Sequence, residues 1–132
     1  MGKKSCAVLV ALLPALIACN MAPGPDMRPG EDCLSCHVAG GSGPVFSAAG
    51  TVFDSLGSGV DGVTVTISDS AQHTQSATTS AAGNFYFTES LTPPLQVYVE
   101  KGGTRVSMPA LAESGACNSC HGSGSAGQIR LQ

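Results

Sequence analysis

One five-residue pattern occurs twice in this chain of 132 residues. Cys33-Leu34-Ser35-Cys36-His37 and Cys117-Asn118-Ser119-Cys120-His121 both read C-x-x-C-H. Two thiols three positions apart can span the vinyl groups on one edge of a porphyrin, and the adjacent His then lies under the ring to bind iron. This is the attachment signature of c-type haem. The pattern predicts four thioether sulfurs, on Cys33, Cys36, Cys117 and Cys120, and two proximal iron ligands, His37 and His121. The implied cofactor is two covalently bound haem c groups. Two cysteine pairs also fit a four-cysteine zinc cluster, and one pair fits a thioredoxin-like redox couple. Neither alternative needs a His directly after the second Cys, twice, and no helical pattern follows either motif as a redox couple would have it.

The other two of the six cysteines, Cys6 and Cys19, belong to the N-terminal segment. On this assignment no thiol is left to pair, which excludes a disulfide framework. Residues 1–18 read as a signal peptide: Lys3 and Lys4 lead an apolar run, Ala7 to Ala18, too short to span a membrane. Its end, Leu16-Ile17-Ala18-Cys19, resembles the lipobox of bacterial lipoproteins. That resemblance implies cleavage before Cys19, a diacylglyceryl group on its thiol and an acylated amine, together enough for a stable anchor. It places the chain in the bacterial periplasm or cell envelope, and Asn20, where an Asp would favour retention at the inner membrane, favours the outer membrane. Residues 19–31 hold Pro23, Pro25, Pro29, Gly24 and Gly30 and read as an extended tether. Residues 32–132 read as one dihaem domain, with haem segments 33–44 and 109–132 around a β region, 48–108.

Within that region Val63, Val65 and Ile67 alternate with Thr64, Thr66 and Ser68, a period of two. Leu95, Val97 and Val99 alternate likewise, and Phe85 and Phe87 share one face. Short β-prone runs at Gly50–Asp54, a polar edge-like run at Gln75–Thr79, and Thr104–Met108 after a Gly102-Gly103 hairpin signal complete about six strands. The fold class expected is all-β, a small antiparallel sandwich flanked by two loop-rich haem segments. An even number of passes returns the chain to the end where it entered, which would bring the two haems close together as one relay. Gln128–Gln132 is a candidate last strand.

The residues Gly50-Thr51-Val52, Gly62-Val63-Thr64-Val65, Thr79 and Gly83-Asn84-Phe85 resemble the carboxypeptidase regulatory-like, prealbumin-type β-sandwich. The resemblance covers about half of the mature chain and implies a fold rather than an activity. Taken with the flanking motifs, the chain resembles the small lipoprotein cytochromes of metal-respiring proteobacteria.

Two low-spin haems need two distal ligands. Two of the three His are proximal, so His73 is the spare, on a turn where a solvated role is the plainer reading. Met27 lies six positions before Cys33, and Met108 nine before Cys117. A thioether there raises the potential, which makes Met27 and Met108 the first candidates and His73 the alternative. Met108 also continues the Thr104, Val106 face and so has a core role open to it.

Without Lys3 and Lys4, four cations (Arg28, Lys101, Arg105, Arg130) stand against nine acids, 4 − 9 = −5. This argues against nucleic acid as a partner and suits docking with basic redox proteins of the periplasm or outer membrane. The reading is electron transfer without catalysis. The alternatives are a small dihaem peroxidase, which needs an open distal face, and a haem-stabilised binding or sensing module. Cys19→Ala should abolish lipidation and move the protein from the membrane fraction to detergent-free periplasmic extract. Equal partition of wild type and variant would refute the anchor.

Overall fold

The computed structural model describes residues 24–122 and 127–131. The signal peptide, Cys19 and the first part of the tether lie outside these residues. Seven strands are described: β1 (Ala48–Phe53), β2 (Thr64–Ser68), β3 (Thr74–Thr78), β4 (Asn84–Phe87), β5 (Gln96–Lys101), β6 (Thr104–Ser107) and β7 (Ile129–Arg130). They form a three-stranded sheet, β4-β1-β7, and a four-stranded sheet, β3-β2-β5-β6. Among the described residues, helix is confined to the motifs: a 3₁₀ turn at Cys33–Ser35 and a one-turn helix, α1, at Cys117–His121.

Alternation decides which face each strand buries. Val63, Val65, Ile67, Phe85, Phe87, Leu95, Val97 and Val99 all sit in the core between the sheets. Each such side chain contributes about 1.5–3 kcal/mol relative to exposure. On the outer face of β2, Thr66 and Ser68 pair hydroxyls with Ser76 and Thr74 of β3, each at 2.9 Å. Such cross-strand pairs suit a polar edge. Gly102 and Gly103 both take positive φ, 59° and 82°, the conformation of a two-residue hairpin turn between β5 and β6.

The expected six-strand antiparallel sandwich holds with one addition and one exception. Ile129–Arg130 adds β7, and it pairs with β1 in parallel, Val52 opposite Ile129. The segment after the second C-x-x-C-H motif therefore returns into the sandwich rather than trailing from it. The tether also departs from expectation over its described part. Ser80 Oγ donates to Pro25 O (3.0 Å), and Asn84 Nδ2 donates to Pro25 O and Met27 O (3.1 and 2.8 Å). Prolines leave helix out there, but the carbonyls of Pro25 and Met27 find donors on Ser80 and Asn84 and dock.

All six residues of β1 are buried. The opposite sheet covers one face, and the segments carrying the two C-x-x-C-H motifs close over the rest. At the far end of β2, Asp69 pins the β2–β3 turn: its carboxylate accepts from His73 N (2.8 Å) and Thr92 N (3.0 Å). Burial pushes this carboxyl up, but those two N–H groups and the His73 ring outweigh burial, and the net shift is downward. A folded-state pKa below the unfolded one means stability present above about pH 4 and lost as pH falls through the folded value. Asp69→Asn should lower the melting temperature at pH 7 and give a shallower fall below about pH 4 than wild type. Parallel acid limbs for the two proteins would contradict this.

Candidate functional site

Each C-x-x-C-H motif folds as a single helical turn, which sets its two cysteines about one turn apart. In the first, Asp32 caps the turn through Leu34 N (3.1 Å) and His37 N bonds back to Cys33 O (3.0 Å). In the second, Gly122 N closes on Asn118 O (2.8 Å).

The two histidines share one arrangement. His37 Nδ1 lies 2.8 Å from the carbonyl oxygen of Pro44, and His121 Nδ1 lies 2.8 Å from that of Gly127. A carbonyl can only accept, so Nδ1 is the donor in both rings, and Nε2 is the nitrogen left for another partner. His37 is 8% exposed. Its ring stacks on Phe46 at 4.0 Å, and Phe46 stacks on Tyr86 at 4.5 Å. Gly43 passes the ring so closely that a Cβ there would lie 2.6 Å from Cε1. The small residues after the first motif thus serve the imidazole, which is gripped between a glycine and an aromatic stack.

The second motif borders a groove of about 580 Å³ whose walls include Val97, Val99, Val106, Met108, Leu111, Cys117, Cys120 and His121. Val106 stands opposite Val99 in the β5–β6 register and so faces inward, yet it is 42% exposed. The cause is a mismatch of sheets: β7 is two residues long and does not cover the inner face of β5 and β6. Val38 and Val45, beside the first motif, are also exposed apolar side chains. Such patches mark sites for an apolar partner or ligand.

Burial pushes the Cys33 thiol up, and burial followed by the charge of nearby Cys33 pushes Cys117 up to about 12. A thioredoxin-like couple needs a shift in the opposite direction. Among the described residues, no three His, Cys, Asp or Glu side chains converge to hold a metal ion, so the four cysteines do not form a zinc-type set. Cys33, Cys117 and Cys120 are free thiols.

The candidate distal ligands separate. Met108 packs half-buried against the core and shares the groove with Cys117, Cys120 and His121. Met27 is half-buried on the docked segment, held by its main chain. His73 sits elsewhere: its side chain is 70% exposed, its Nδ1 lies 3.4 Å from Asp69, and its cavity contains no residue of either motif.

One residue of the site carried no sequence signal beyond its place inside the second motif. Asn118 is 2% exposed. Its Oδ1 accepts from Thr51 N (3.0 Å), and its Nδ2 donates to Thr51 Oγ1 (3.0 Å) and to Glu31 O (2.8 Å). Along the edge of β1, Ala49 N is met by Gly115 O and Phe53 O by Leu131 N. Between them the partner strand is interrupted by α1, and Asn118 supplies the missing acceptor. No protein-family model, curated protein or solved structure matches the chain.

Gly43→Ala should destabilise the protein by about 1–3 kcal/mol, because the new methyl meets a ring already backed by Phe46. The denaturant midpoint checks this, and an unchanged midpoint would show that the imidazole is free to yield.

Proposed function

We propose that this chain is a dihaem c-type cytochrome of the bacterial cell envelope, lipid-anchored through Cys19, which carries electrons between redox proteins. The observation that supports it is the paired histidine geometry. Two C-x-x-C-H turns of different local conformation each bind Nδ1 to a backbone carbonyl at 2.8 Å and leave Nε2 for iron. A four-cysteine zinc site has no use for that repetition.

The residues fit the cofactor. At the second motif, two thiols and an oriented imidazole border an apolar groove with an inward-facing, exposed wall. At the first, the imidazole is already fixed by Pro44, Phe46 and Gly43. Cys33, Cys36, Cys117 and Cys120 would hold the group as thioethers, each S–H adding across a vinyl double bond with no leaving group. Once bound, haem supplies a one-electron iron couple. The chain's share is to orient His37 and His121, exclude water with Val97, Val99 and Leu111, and offer a thioether from Met108. Met27 is the corresponding candidate at the first motif, with His73 the less favoured alternative. A net charge of −5 after processing suits docking with basic redox partners.

Expression with a cytochrome c maturation system should give an intact mass carrying two haem increments. Cys117→Ala with Cys120→Ala should remove one. In the same preparations Met108→Leu should lower one midpoint potential and remove a far-red sulfur-to-iron band. Tightly bound zinc in place of haem would end this reading.

A further inference from the structure

The two attachment turns meet through one side chain. Asn118 follows Cys117 directly, and its Nδ2 donates to the carbonyl of Glu31, two residues before Cys33. The sulfur of Cys33 lies 3.6 Å from that same carbonyl oxygen. Gly122 packs against the carbonyl of Gly30 with no room for a Cβ, so the turns are also in direct main-chain contact. Asn118 is almost wholly buried, and Thr51 fixes its amide from two sides. One amide hydrogen is thereby aimed at Glu31.

We propose that Asn118 is the bridge through which the two redox centres of this chain exchange electrons. The path runs from Cys117 through the Asn118 side chain, across one hydrogen bond to Glu31, and on to Cys33. The inference rests on the dihaem reading above. Electronic coupling falls steeply across gaps between non-bonded atoms and much less along covalent and hydrogen bonds. The covalent route from Cys33 to Cys117 runs the length of the sandwich, whereas the Asn118 route is a few bonds and one short contact. One electron leaves the reduced centre and arrives at the oxidised one. Asn118 is neither oxidised nor reduced, and no bond forms or breaks.

The test uses the full-length protein carrying two haems by intact mass, half-reduced with dithionite. Exchange between the centres is read from broadening of the haem methyl resonances. Asn118→Leu should lose that broadening while keeping both haems. Ser80→Ala loosens the same Pro25 segment without touching Thr51 or Asn118, and it should keep the broadening. Undiminished exchange in Asn118→Leu, or equal loss in Ser80→Ala, overturns the proposal. If Asn118→Leu does not fold, Asn118→Asp takes its place: an oxygen still accepts from Thr51 N, but the donor to Glu31 is lost. Loss of the broadening in Asn118→Asp supports the bridge, and undiminished exchange overturns it. A wild-type mass with fewer than two haems overturns the dihaem reading and the bridge with it, an outcome distinct from failed exchange in a two-haem protein.

Discussion

The contact between Asn118 and Thr51 holds the two halves of this molecule together. A β-strand edge presents N–H groups that must find acceptors once water is excluded. On β1 the edge is interrupted where α1 leaves the ladder, and an unmet Thr51 N–H there would cost about 1–3 kcal/mol. Asn118 meets it, and its remaining donors reach Thr51 Oγ1 and Glu31 O. Thr51 in turn accepts from Gly30 N and donates to Asn84, which holds Pro25 and Met27. Among the described residues no buried side-chain nitrogen or oxygen lacks a partner. A network satisfied to that degree is rigid, and it sits where both C-x-x-C-H turns join the sheet.

Rigidity at that junction bears on function through orientation. On the proposed reading His37 and His121 bind iron, and a tautomer and ring plane set beforehand favour that role. His37 is set by Pro44, Gly43 and the Phe46–Tyr86 stack. His121 is set by Gly127, in the stretch that leads into β7. In both cases the carbonyl comes from a short loop returning to the sandwich, so the framework rather than the helical turn determines the ring.

The sandwich is incomplete by itself. Four strands face three, and β7 is too short to cover the inner surface of β5 and β6. The groove left over is apolar and runs beside Cys117, Cys120 and His121. A chain with no Trp and four Phe has few large side chains to fill such a gap. On the proposed reading the cofactor does so, and the smallness of the protein core and the exposure of Val106 and Leu111 have one cause.

Local chemistry was legible in the sequence. The two C-x-x-C-H motifs, the inward faces of β2, β4 and β5 and the Gly102-Gly103 turn follow from residue spacing and the period of two, which neighbouring residues determine among themselves. The short strand at Gln128–Gln132 was legible as a possibility, but its parallel partner was not, because Val52 and Ile129 lie 77 positions apart and only the closed sheet brings them together. Docking of Pro25 and Met27 was not legible, because composition reports the absence of helix and not whether carbonyls will find donors. Sequence favoured Met27 and Met108 equally, yet only folding set Met108 in a groove with Cys117, Cys120 and His121. Asn118 looked like a spacer between two cysteines. Its role depends on a gap in a strand ladder, and such a gap exists only in three dimensions.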